Sequence, residues 1–191
     1  NDLIWSYVVN NYLKGKTPPP FDILYWNSDS TNMTAAMYTW YLRNMYLENK
    51  LIKPGGVELC GVPVDLGKID CPVYFLSAIE DHIAPWKTTF TATELVKGPM
   101  EFVLGASGHI AGVINPAAKN KRNFWVNGET GKGADHWLET AESVPGSWWP
   151  HWDAWLKSQG GKQIPAPQQL GSKDYPELEP APGSYVLARN D

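Results

Sequence analysis

Cysteine is nearly absent. Cys60 and Cys71 are the only two in 191 residues; they fall in no CxxC or metal-ligand spacing, and nothing argues for an oxidising compartment. Neither HExxH nor a His/Cys cluster occurs, which excludes the common metal motifs. Lys and Arg number 16 against 20 Asp and Glu. They form no basic stripe, so the chain lacks the electrostatic footprint of a nucleic-acid binder. No apolar run approaches the ~18–20 residues of a membrane span. There is no secretory signal, and Asn1 is not a natural start. Glycine (17) and proline (16) stay below the level of low-complexity disorder. What the chain has in quantity is aromatic surface: ten Trp, nine Tyr and five Phe. That load suits a protein that handles apolar material or buries a large partner surface.

The length fits one ordinary domain or part of a larger one. Ile4, Trp5, Val8, Val9 and Tyr12 recur at helical spacing after Asp2, an N-cap residue type. Thr17-Pro18-Pro19-Pro20 stops that helix. A second helix is expected with Asn32 as its cap. Its two stripes, Met37, Tyr41, Met45 and Tyr38, Leu42, Tyr46, form a broad apolar face that should be buried. After the turn Pro54-Gly55-Gly56, Val57 to Gly61 reads as a short strand. Pro72 to Ala78 and Met100 to Leu104 read as nearly continuous apolar strands, the kind buried on both faces of a parallel sheet. A helix over Thr88 to Lys97 joins them, giving one α/β crossover. Asn115 to Gly133 reads as polar loop, Ser147 as the cap of a last helix carrying Trp148, Trp152 and Trp155, and Pro150 as tolerated in its first turn. A proline-rich tail with little core of its own follows.

In an α/β sheet, ligands gather at the carboxyl ends of the strands. There the two buried strands run into Glu80-Asp81-His82-Ile83 and Gly105-Ala106-Ser107-Gly108-His109. Asp81 and His109 lie 28 residues apart, room for one helix and one strand, which sets them on adjacent strand ends. Asp then His on successive post-strand loops is the acid–base half of a nucleophilic triad, in the chain order of the α/β-hydrolase fold. The glycines at 105, 108 and 112 are expected to let the backbone turn tightly around His109. The bland alternatives are a cap or loop role for Asp81 and an ordinary loop histidine at 109. His82 reads as a hydrogen-bonded neighbour or pocket wall, and His136 and His151 as surface residues. The nucleophile is missing. Gly105-Ala106-Ser107-Gly108-His109 departs from G-x-S-x-G at its last position, and Ser107 is too near His109 in sequence to be its target. Cys60 and Cys71 lack flanking glycines and read as buried small hydrophobes.

Phe102-Val103-Leu104-Gly105-Ala106-Ser107-Gly108-His109-Ile110-Ala111-Gly112-Val113-Ile114-Asn115-Pro116 resembles the catalytic-His stretch of class I polyhydroxyalkanoate synthases. Glu80-Asp81-His82-Ile83 with Pro85-Trp86 resembles that family's catalytic-Asp loop, and further matches include Tyr25-Trp26-Asn27, Cys60-Gly61-Val62-Pro63-Val64-Asp65 and Gly146-Ser147-Trp148-Trp149. The resemblance implies the C-terminal portion of an α/β-hydrolase core. In that division residues 1–34 end a cap subdomain, 35–160 belong to the core and 161–191 form the tail. It also implies a chemistry: polymerisation of (R)-3-hydroxyacyl-CoA, typically 3-hydroxybutyryl-CoA, into cytoplasmic polyester granules. CoA is released and no cofactor is consumed. A Cys in a G-x-C-x-G box would carry the growing chain, with His109 as general base and Asp81 orienting it; in the family the Asp is also proposed to activate the incoming 3-hydroxyl. Trp26 and His82 would lie beside the substrate path. The expected partners are the N-terminal part of the same synthase, carrying the Cys, and a second copy in a homodimer. Two alternatives stand: an esterase or polyester depolymerase of the same fold, and a non-enzymatic Trp-rich binding module with no Asp81–His109 contact.

Overall fold

The computed structural model describes residues 2–17 and 31–188. The chain forms two compact units, Asn1–Ile69 with Leu95–Lys97, and Asp70–Glu94 with Gly98–Asp191.

The first unit opens with helix α1 (Asp2–Tyr7), which widens into a π turn over Val8–Tyr12, where Leu13 N–H reaches back five residues to Val8 O. Helix α2 (Ala35–Tyr41) widens likewise over Leu42–Leu47. Its cap is Thr34, whose hydroxyl accepts the Met37 N–H at 3.4 Å, and not the expected Asn32. A cap side chain must sit two or three residues before the N–H it serves, and Asn32 lies one turn position too early. The apolar face expected to be buried is displayed, with Met37 60% and Tyr46 70% exposed. Periodicity reports which face is apolar, and the cover for that face can come from outside the residues that form it. Val57 to Gly61 is not one strand but half of a hairpin. Strands β1 (Val57–Leu59) and β2 (Val62–Val64) pair antiparallel across Cys60 and Gly61, both at left-handed φ (51° and 78°), as a two-residue type I′ loop requires. Cys60 is therefore exposed at a hairpin tip. Cys71 is exposed too, so neither thiol is the buried hydrophobe expected.

The second unit is a mixed α/β layer structure. Strands β3 (Val73–Ala78) and β4 (Met100–Gly105) run parallel in register from Val73↔Met100 to Ala78↔Gly105. Their crossover is shorter than expected: helix α3 (Trp86–Phe90), then a 3-10 turn over Thr91–Glu94. Pro85 cannot continue a helix from the loop before it, so it fixes the start at Trp86. The segment read as loop after Asn115 contains β5 (Asn123–Val126), antiparallel to β4; helix α4 (Ala134–Thr140) and β6 (Glu142–Pro145), antiparallel to β5, follow. The sheet order is β3-β4-β5-β6. Phe124 and Val126 are buried while Asn123 and Trp125 are less so, a two-residue period too short to stand out in the sequence. Helix α5 (Trp149–Gln159) holds Pro150 in its first turn, and the Ser147 hydroxyl accepts the Trp149 N–H.

Alternation along β4 sends its side chains to two cores. Phe102 and Leu104 join Trp86, Phe90 and Trp137 on the α3/α4 face. Val103 joins Phe124, Val126 and Trp148 on the α5 face. Aromatic rings dominate the first of these cores: Phe102 meets Trp137 edge-on at 4.9 Å and Phe90 meets Phe102 at 4.8 Å. His136, expected at the surface, is half-buried and bonded to Glu129 at 2.9 Å. His151 is also half-buried, because it lies on the sheet-facing side of α5. Its Nδ1 is 3.0 Å from the Tyr74 hydroxyl and its Nε2 3.6 Å from Glu101. Burial and the nearby Glu101 charge push the Tyr74 hydroxyl well above its usual range. Beyond Gly160 the tail is exposed, with Leu178 91% accessible.

Candidate active site

Because β3 and β4 are parallel and in register, their following loops leave the sheet at the same end. Pairing continues past the strands: Ile79 N–H donates to Gly105 O at 2.9 Å and Glu80 N–H to Ser107 O at 3.0 Å. This zips the two loops together up to the residues of interest. The chain then turns, with Asp81 N–H on Ala78 O.

The two oxygens of Asp81 divide their work. Oδ1 accepts the N–H groups of Ile83 and Ala84, both at 2.9 Å, and so closes the loop on itself. Oδ2 lies 2.8 Å from His109 Nδ1. The Asp81 side chain is only 9% exposed and that of His109 45%. The N–H of Ala84 and the His109 ring, helped by the Ile83 N–H, stabilise the carboxylate against its burial and hold its pKa down to about 2. A group charged at every physiological pH can only accept, so His109 Nδ1 is the donor. That fixes the neutral imidazole in the tautomer with a free lone pair at Nε2. An imidazole held this way accepts a proton at Nε2 while the carboxylate stabilises the imidazolium that forms. The arrangement can serve as a general base.

The loop geometry differs from expectation in one respect. None of the glycines at 105, 108 and 112 is left-handed; the residue with positive φ is Ser107, at 79°. Gly112 is needed for close approach instead, since a Cβ there would stand 2.7 Å from the Ala78 Cβ and 2.9 Å from Ala106 O. His82 is exposed, and its ring makes no hydrogen bond among the described residues, contrary to the hydrogen-bonded neighbour expected. Trp26 lies outside the described residues. Among those described, no hydroxyl or thiol is bonded to the His109 ring.

Sequence reasoning missed the residues that hold the His109 loop from behind. The Arg122 guanidinium donates to Ala111 O, Trp148 and Trp149 both donate to Val113 O, and the Ser147 hydroxyl donates to Asn115 O. No spacing rule joins these segments; only the order of β4, β5 and α5 in the second unit brings them together.

No family model matches the chain. Over 189 residues, 99% of its length, it is 53% identical to the poly(3-hydroxyalkanoate) polymerase subunit PhaC of Cupriavidus necator, of which the match covers 32%. It is 48% identical over 189 residues to the subunit of the same name from Rhizobium meliloti, covering 30% of that protein. It is 44% identical over 189 residues to poly(3-hydroxyalkanoate) polymerase 2 of Ectopseudomonas oleovorans, covering 34%. The chain thus spans about a third of the length of the curated relatives it matches.

Proposed function

From a chain homologous along its whole length to one third of the poly(3-hydroxyalkanoate) polymerases, we propose that Asp81 and His109 are the acid–base half of a polymerase site in an α/β-hydrolase fold. Its Cys nucleophile is supplied by the remainder of the polymerase. The single observation that carries the reading is the 2.8 Å Asp81 Oδ2–His109 Nδ1 contact across two parallel strand ends, which leaves Nε2 free. A binding module would have no use for that contact.

The geometry accounts for both half-reactions. His109 Nε2 takes the thiol proton of the Cys, and the thiolate attacks the thioester carbonyl of a (R)-3-hydroxyacyl-CoA. The C–S bond to CoA breaks, and His109 returns the proton to the departing CoA thiolate. A new thioester remains on the Cys, and CoA is the only other product. The 3-hydroxyl of the next hydroxyacyl-CoA then attacks the acyl–Cys thioester and gives its proton to the same imidazole; the ester bond forms as the C–S bond to the Cys breaks, and the departing Cys thiolate takes the proton back. Asp81 keeps Nδ1 protonated throughout, so that Nε2 is the basic atom in each cycle. β3 has a strand neighbour on one side only among the described residues. Its other edge suits the strands that would carry the Cys. The setting is a cytoplasmic polyester granule, with the polymerase as a homodimer. No helix among the described residues is long and apolar enough to cross a membrane.

The test is His109→Gln in the complete polymerase, with CoA release from 3-hydroxybutyryl-CoA as readout. A loss of about 10²–10⁴-fold with an unchanged circular dichroism spectrum is expected for a removed general base. Near-normal turnover would remove His109 from the mechanism.

A further inference from the structure

The loop from Gly105 to Asn115 places His109, yet past Ser107, whose carbonyl accepts the Glu80 N–H, it has no such pairing among the described residues to define its course. Its shape is set by what serves its carbonyls. The Val113 carbonyl, four residues after His109, accepts two indole N–H groups, from Trp148 Nε1 at 3.1 Å and from Trp149 Nε1 at 3.0 Å. The Asn115 N–H also reaches this oxygen at 3.0 Å, a local bond within the loop, so the two indoles are the donors that tie the Val113 carbonyl to a segment outside it. On either side, Gly112 N–H closes a turn onto Gly108 O at 2.8 Å, and the Ser147 hydroxyl holds Asn115 O.

Packing alone does not require this. Trp148 belongs to the core between the sheet and α5, with Trp149 packed against it, and a phenylalanine would fill most of the same space. A buried indole N–H needs an acceptor, but nothing obliges two of them to choose one carbonyl. The common choice ties the start of α5 to the segment that carries His109. The His109 ring is nearly half exposed, and among the described residues its one hydrogen bond is to Asp81. Its position therefore depends on its backbone rather than on a surrounding pocket.

We infer that Trp148 and Trp149 are positioning residues: by sharing the Val113 carbonyl they hold the loop so that His109 Nδ1 stays on Asp81 Oδ2. The inference rests on the reading of His109 as the general base. It also makes a specific claim about redundancy. Either indole can hold the carbonyl alone, so losing one N–H is tolerated and losing both is not. Displacements of about 1 Å at a reacting group cost on the order of 10²-fold in rate.

The experiment is a double-mutant cycle in the complete polymerase with Trp148→Phe, Trp149→Phe and the pair. Each single variant should keep kcat within about threefold. The pair should fall at least tenfold below the product of the singles, with KM unchanged; the two rings also touch, 6.4 Å between centroids, so the readout that follows assigns the coupling to the shared carbonyl. Alongside, nitrogen-15 histidine labelling reads the solvent exchange of the His109 Nδ1 proton, which should be protected in the singles and exposed in the pair. This second readout does not need turnover. Failure of the positioning claim is thereby separated from failure of the base assignment, which His109→Gln decides. If the pair does not fold, benzothienylalanine at both positions keeps the ring volume, removes only the two N–H groups and should show the same loss and the same exposure. Losses that multiply independently, or a Nδ1 proton equally protected in the paired variant, would show that the indoles only pack and would overturn the inference.

Discussion

Asp81→Asn is the substitution for which the structure makes its least obvious demand. Asn has the shape of Asp, and at most positions it would be the mild choice. Here the side chain is pinned on one side by two donors, the Ile83 and Ala84 N–H groups at 2.9 Å from Oδ1. The asparagine must therefore put its carbonyl oxygen there, which turns its NH2 toward His109 at the place where Oδ2 stood 2.8 Å from Nδ1. Two donors cannot face each other, so the imidazole changes tautomer: Nδ1 becomes the acceptor and Nε2 takes the proton. The ring is then well placed and chemically useless as a base. A loss of about 10³–10⁴-fold in turnover follows, the size of effect seen when a triad carboxylate is replaced by its amide. Asp81→Ala also removes the carboxylate but leaves the ring free to choose its tautomer, so it should lose less activity than Asn. In thermal unfolding the order reverses, because Asn keeps both loop hydrogen bonds and Ala keeps neither. Under the polymerase reading the assay is CoA release from 3-hydroxybutyryl-CoA by the complete polymerase carrying each substitution, with Tm measured on the same preparations. If Asn were more active than Ala, or within tenfold of the unsubstituted protein, the argument from pinned geometry would fail.

Two further predictions follow from the same unit. Asp81 has a folded-state pKa of about 2 against its ordinary 3.8; the unfolded chain binds the extra proton in that interval, so stability rises with pH there. The Asp81 contribution should be complete above about pH 4 and vanish as pH falls through about 2. It is read as the difference in urea midpoint between the unsubstituted chain and Asp81→Asn across pH 5 to 2; a constant difference would refute it. Trp137 is 1% exposed and meets Phe90, Phe102 and Trp86, so Trp137→Ala should cost about 3–5 kcal/mol in equilibrium unfolding. A cost below about 1 kcal/mol would mean that this face is not a packed core.

The parts of the fold that read clearly in the sequence are those where one local signal suffices. Val73 to Ala78 and Met100 to Leu104 are continuous apolar runs with one segment between them, and a parallel pair is nearly forced by that pattern. The strand-end placement of Asp81 and His109 follows from it. Elements whose formation depends on distant partners did not show themselves. β5 has four residues and β6 four; β5 extends the edge that β4 offers, and β6 the edge that β5 then offers. The hairpin turn at Cys60-Gly61 was hidden because a cysteine is an unusual occupant of a left-handed position. The apolar face of α2 was identified correctly as a face, but its exposure is a property of what surrounds the helix. His151 fails the same way: a polar residue in an amphipathic helix reads as outward until the sheet supplies Tyr74 and Glu101 to receive it.

The loop role of Asp81 and its proposed orienting role use different oxygens of one side chain. As a loop residue it uses Oδ1 to close Ile83 and Ala84 onto itself; as an orienting group it uses Oδ2 on His109. The two roles reinforce each other. The backbone N–H groups keep the carboxylate ionised and in place, and an ionised, placed carboxylate is what fixes the imidazole tautomer. Every contact that defines the pair comes from Asp70–Glu94 or Gly98–Asp191, the second compact unit: the zipped loops after β3 and β4, the N–H groups of residues 83 and 84, and the indoles at 148 and 149. Asp81 and His109 are therefore brought together by one unit on its own contacts. Under the polymerase reading, the rest of the protein has to bring only the Cys and the acyl-CoA to a histidine already set to receive the proton.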